Sequence, residues 1–224
     1  MSQNPASPAK TPYPASLAID YPDRQLNRLT SFFRIFVIIP IAIVAASITG
    51  FSYTWNNWNH PLRGDPHTTA LYGVSILFLP ALLMILFRKK YPRWWFDWNL
   101  ALTRFTLRVG SYFVLLRDEY PSTDEEQAVH VSLTYPDADK ELQRGMPLVK
   151  WFLAIPHYIV LIFLAIAALV CVIIAWFAIL FTGRYPRGLF DFVVGVQRWG
   201  LRVNAYVFLL ITDRYPPFSL AAEA

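Results

Sequence analysis

The chain reads as an all-α integral membrane protein of two tandem repeats, each a transmembrane helical hairpin followed by an amphipathic interfacial helix, with short β-strands at the cytoplasmic face. Three observations lead there. Hydrophobic residues make up 55% of 224 positions and charged residues only 16%, outside the ordinary soluble balance. The apolar residues are blocked, at 35–47, at 70–87 and almost without break from 151 to 181, and about 20 helical apolar residues cross a hydrocarbon core of about 30 Å. Residues 87–116 lie without gaps over 181–210 with thirteen identities in thirty positions, where roughly two or three would arise by chance. Upstream, 18–44 resembles 132–160 once a two-residue insertion is allowed, so the chain is a tandem duplication.

In chain order, residues 1–16 are rich in Pro, Ser and Ala, with no apolar core or cleavage pattern, and read as a flexible tail rather than a signal peptide. Repeat one covers 17–121, an acidic linker 122–128, and repeat two 129–220. SLAIDYP and VHVSLTYP, ahead of the first helix of each repeat, alternate apolar and polar residues at period two. They read as short strands able to pair with each other or with the tails after Tyr120 and Tyr215. In repeat one, 31–50 and 70–87 form the two limbs of a hairpin, joined by a loop carrying Trp55, Trp58 and His60 that is expected outside the membrane. Repeat two lacks that loop. Its apolar run 148–181 would be roughly 50 Å long as one helix, so two readings stand: a long tilted or kinked helix, or a tight hairpin turning near 164–170. The hairpin is favoured, because it keeps Lys150 and Arg184 on one side and the repeats parallel.

Charge placement sets the orientation. Arg24, Arg28 and Arg34 precede the first apolar run, Arg88, Lys89, Lys90 and Arg93 follow the second, Lys140, Arg144 and Lys150 precede the third, and Arg184 and Arg187 follow it. Basic flanks of this kind mark the cytoplasmic side, so a multi-pass chain with both termini cytoplasmic is expected. Nothing resembling a nucleic-acid module accompanies the net charge of +5. Pro40 and Pro156 sit at equivalent places and are expected to kink the first helix of each repeat. Seven Tyr-Pro pairs punctuate element boundaries.

The best-preserved stretch of each repeat is an amphipathic helix with one polar stripe. Asp191, Gly195, Arg198, Arg202 and Tyr206 stack on one face, and Asp97, Ala101, Arg104, Arg108 and Tyr112 repeat the pattern. Two arginines and an aspartate at mid-bilayer would cost about 2.5 to 3.5 kcal/mol each, which favours the cytoplasmic surface. There the arginines could reach anionic headgroups or a partner. Alternatively the stripes bury against each other, Asp97 pairing with Arg198 or Arg202 and Asp191 with Arg104 or Arg108, or the charges only hold the helix to its own hairpin. Asp97, Arg104, Arg108, Tyr112, Asp191, Arg198, Arg202 and Tyr206 are therefore the candidate lipid- or partner-binding residues. No catalytic residue, metal cluster, phosphate loop or cofactor motif is found. Cys171 reads as a small buried hydrophobe, and His157, where repeat one has Ile41, as a neutral hydrogen-bonded histidine.

The strings IPHYIVLIFL, AWFAILFTGRYPRGLFDFVVGVQRWGLRVNAYVFLLITDRYPPFSL and IDYPDRQLNRLTSFFRI resemble the bacterial membrane-protein family catalogued as domain of unknown function 4389, across residues 17–220 and most closely in the second copy. That resemblance implies a location in a bacterial inner (cytoplasmic) membrane, no activity and no catalytic residue. The function expected is that of a non-enzymatic accessory or scaffold protein, packing with a larger membrane complex or binding anionic lipid at the cytoplasmic face. A small transporter or channel, for which tandem repeats are common, and a lipid- or quinone-linked membrane enzyme are the alternatives.

Overall fold

A computed structural model describes residues 12–49, 74–123 and 125–222, so the expected loop with Trp55, Trp58 and His60 lies outside the described residues. Two five-residue strands, β1 (Ala15–Ile19) and β2 (Val129–Leu133), form an antiparallel pair with Leu17 opposite Val131. Their period-two pattern is realised as buried and exposed positions in strict alternation. The tail is shorter than expected: Tyr13 and Ala15 are already buried, because the apolar phase of the strand begins there.

Between the strands run α1 (Arg28–Phe32), α2 (Arg34–Val37), α3 (Ile39–Thr49), α4 (Val74–Leu83) with a π-helical continuation (Met84–Arg88), and α5 (Arg93–Phe113). After β2 come α6 (Ala138–Glu141), α7 (Met146–Leu153), α8 (Ile155–Thr182) and α9 (Arg187–Val207). Asn27 caps α1, its side-chain oxygen accepting from the Leu29 and Thr30 amides at 3.0 and 3.4 Å. Pro40 and Pro156 do not kink a helix from within. Each stands at the second position of a new helix, α3 or α8, where the missing amide hydrogen costs no internal bond. The helices instead break at Ile38 and Ala154.

The favoured hairpin in the second half is not formed. α8 is one continuous helix of 28 residues, about 42 Å at 1.5 Å per residue. Residues 161–178 contain no Gly, Pro or polar side chain that could stop a helix or satisfy the freed carbonyls of a turn. The helix ends only at Gly183, which caps it in the left-handed region at φ 73°. Two equal tandem hairpins are therefore not the architecture; among the described residues one helix, α8, is long and apolar enough to cross a membrane.

The layers are built by exchange between the halves. β1 packs on α9 and β2 packs on α5, so each strand covers the amphipathic helix from the other half. α9 runs back along α8 and α7, with Trp199 against His157 of α8 and Tyr206 facing Lys150 of α7. The last part of α8 is met by α1, where Phe32 stacks on Trp176 and the Trp176 indole donates to the Ser31 carbonyl at 3.1 Å. One side of α8 is thus accompanied by protein along its length, through His157, Leu161, Leu164, Ala168, Ala175 and Ile179. Most of the helix surface is nevertheless bare: only 6% of the residues in its most apolar 18-residue stretch are buried.

Candidate functional site

The polar chemistry of the chain gathers at the ends of α5 and α9, on the side that faces the sheet and the tails following them. At the C-terminal end of α5 the Arg34 guanidinium lies 4.0 Å over the Tyr112 ring, pairs with Asp118, and donates to the Tyr112 and Arg117 carbonyls at 2.9 and 2.6 Å. At the end of α9 the Lys150 ammonium lies 5.0 Å from the Tyr206 ring centre, pairs with Asp213 at 2.7 Å, and donates to the Thr212 carbonyl at 2.7 Å. Arg34 and Lys150 are both fully buried, at 3% and 0% exposure. Burial pushes each cation below its ordinary value and the facing aspartate opposes that shift. Each set pins the start of an apolar helix to the segment that leaves the adjoining amphipathic one.

Sequence reasoning placed Arg34 and Lys150 only as membrane flanks and left Asp118 and Asp213 unmentioned. A signal existed: both cations stand six residues before the aligned prolines Pro40 and Pro156, and both aspartates occupy the first position of an Asp-x-Tyr-Pro string.

The predicted stripes are positioned as follows. Asp97 is exposed and pairs with Arg93 of its own helix at 3.4 Å, and Asp191 is exposed as well. The crosswise pairing of Asp97 with Arg198 or Arg202, and of Asp191 with Arg104 or Arg108, does not occur, since both aspartates lie on the outer rim of their helices. The arginines face the sheet. Arg104 Nε donates to the Val131 carbonyl at 3.3 Å and Arg198 Nε to the Leu17 carbonyl at 2.9 Å, the two carbonyls belonging to the opposed residues of the ladder. Arg108 donates to the Ser122 carbonyl at 3.0 Å. Arg202 is 1% exposed and donates to the carbonyls of Ser219, Ala221 and Ala222 at 3.0, 2.6 and 3.1 Å. Burial, reinforced by the neighbouring Arg198 cation, lowers the Arg202 guanidinium from its usual value. Tyr112 and Tyr206 are the ring platforms under Arg34 and Lys150.

His157 is fully buried and stacks on Phe218 with ring centres 4.0 Å apart. The Trp199 indole donates to its Nδ1 at 3.1 Å, which requires an unprotonated nitrogen there and matches the neutral histidine read from the sequence. Cys171 is a partly buried free thiol at the edge of the apolar core. No group of three or more His, Cys, Asp or Glu able to hold a metal occurs among the described residues.

No curated protein and no solved structure matches the chain. Residues 146–219, which hold α7, α8, α9 and the Lys150–Asp213 anchor, match the family described as Domain of unknown function (DUF4389).

Proposed function

We propose that the protein is a non-enzymatic scaffold that lies along the cytoplasmic face of a bacterial inner membrane, its bare apolar helices sunk into the leaflet and its basic rim on anionic headgroups, where it docks with larger membrane proteins. One observation carries this reading: α8 is accompanied by protein along one side and is bare along the other. Ile159, Ile162, Phe163, Ile166, Val170 and Phe177 are each about half to two-thirds exposed, between 49% and 69%. A face of that size in water would be an aggregation hazard, and in a leaflet it is a stable contact. Ile35, Phe36, Phe87 and Phe152 extend it, and exposed Arg24, Arg28, Lys90, Arg184 and Arg187 supply the rim.

An upright α8 is disfavoured by its neighbours. α9 lies antiparallel beside it, so crossing would carry Arg198, Arg202 and a two-stranded sheet with open edges to bilayer depth. Open sheet edges are not tolerated in hydrocarbon. Lying in the plane keeps both ends of α8 with the same polar body. Two copies of one ancestral unit underlie this layout, a view supported by the Arg34–Asp118 and Lys150–Asp213 anchors at aligned positions.

The test uses single cysteines at Arg144→Cys and Arg184→Cys in a Cys171→Ser background, probed with an impermeant maleimide in spheroplasts and in inverted vesicles. Both sites should react only from the cytoplasmic side. Labelling from opposite sides would mean that α8 crosses, and recovery of the protein in the soluble fraction would overturn the membrane reading altogether.

A further inference from the structure

The two matched arginine pairs are in different states of satisfaction, and the difference outlines a binding site. Residues 87–116 align with 181–210, so Arg104 and Arg108 correspond to Arg198 and Arg202. In the second half, the chain's own last residues fill the space beside the pair. Arg198 donates to the Leu220 carbonyl at 3.0 Å, and Arg202 to those of Ser219, Ala221 and Ala222. Gly195 makes room for this segment: a Cβ there would come within 2.9 Å of the Leu220 Cβ and 3.2 Å of its carbonyl oxygen.

In the first half the corresponding space is open. Ala101 stands where Gly195 would be and lines a cavity of about 490 Å³ between α5 and the sheet, together with Arg104, Arg108, His130, Gln127 and Glu126, with Ala222 of the C-terminal segment at its wall. Among the described residues, Arg104 bonds the Val131 carbonyl of the strand and Arg108 the Ser122 carbonyl. Arg108 is 8% exposed, and its Nε, like that of Arg202, is buried with no hydrogen-bond partner among the described residues, so the two halves differ in the carbonyls that meet the terminal nitrogens and not at Nε. Such a donor, more than nine-tenths buried and left unmade, costs about 1–3 kcal/mol, more when charged. The volume lies within the range of small-molecule sites.

We infer that this cavity is a binding site for a small phosphate-bearing anion, whose oxygens replace on Arg104 and Arg108 the carbonyl oxygens that the C-terminal segment supplies to Arg198 and Arg202. Two guanidinium groups against the one carboxylate of Glu126 leave the cavity cationic, and the planar fork of arginine matches phosphate oxygens. His130, whose Nε2 lies 3.1 Å from Asp20 Oδ2, adds a polar ring at the rim. The site does not depend on the bilayer reading, since it opens beside the sheet. Its phosphate can come from a soluble ester or from a lipid headgroup.

The test is equilibrium binding to the full chain in a phosphate-free maltoside detergent, by titration calorimetry, with glycerol phosphate as the soluble probe and phosphatidic acid vesicles as the lipid probe. One anion should bind per chain. Arg104→Gln, at an exposed position, and Ala101→Leu, which fills the cavity without altering charge, should each weaken binding at least tenfold. Binding of glycerol phosphate assigns a soluble ligand, whereas Arg104-dependent binding of vesicles alone assigns a headgroup. Absence of binding to either probe, or binding unchanged in both Arg104→Gln and Ala101→Leu, would overturn the site.

Discussion

At the scale of single residues, Lys150 and Arg34 determine how apolar helices are fastened to a polar body. Lys150 is a charge with no exposed surface, tolerable only because Asp213, the Thr212 carbonyl and the Tyr206 ring surround it. Removing the counter-charge alone leaves that ammonium buried and unpaired. Asp213→Ala should therefore lower stability in denaturant unfolding by about 3–5 kcal/mol, while the paired replacement Lys150→Met with Asp213→Leu should cost far less, because a buried ion pair is nearly neutral against apolar side chains of similar volume. Helix periodicity pointed to neither aspartate, and only the repeated Asp-x-Tyr-Pro string marks them in the sequence. Sequence periodicity reports which face of a helix is buried, and Asp118 and Asp213 lie in irregular segments beyond the helices, where no period exists. The arginine stripes were legible as stripes, yet their partners are backbone carbonyls, which every residue carries and no composition reveals.

At the scale of elements, the amphipathic helices and the strands follow their patterns closely. α5 and α9 cover 93–113 and 187–207 and so contain the polar stripes at 97–112 and 191–206, and the two strands pair as their alternation permits. α8 departs from expectation, because the charge bias argued for a turn while the chain between 161 and 178 offers nothing to make one. Spin labels at Ile159 and Phe177, both exposed, separate the two arrangements: eighteen residues of continuous helix put their backbones about 27 Å apart (18 × 1.5 Å). Double electron–electron resonance should return a distance near that value. A hairpin turning at 164–170 would bring the labels to neighbouring limbs, roughly 10 Å apart, the usual spacing of packed helices.

At the scale of the molecule, the halves are not independent. β1 covers α9 and β2 covers α5, so a cut through the linker leaves each amphipathic helix with its inner face bare. The fragment 129–224 alone should fail to show a cooperative unfolding transition, and adding the fragment 1–121 in trans should restore it, as judged by circular dichroism melts. Cooperative unfolding of the isolated fragment would mean that the exchange is not needed for stability. The linker itself is held in place, with Gln127 donating to the Tyr120 carbonyl at 2.8 Å and accepting from the Ser122 amide. Local pattern was enough to determine the apolar blocks, the strand phase, the amphipathic helices and the matched arginine pairs, because each depends on residues a few positions apart. The exchange of strands, the straight course of α8, the buried anchors and the open cavity beside Arg108 were settled only by the packed chain. They depend on which distant carbonyl, carboxylate or tail reaches a given side chain, and two matched helices came to differ because the arginines of one bond the carbonyls of the chain's last residues while those of the other bond Val131 and Ser122.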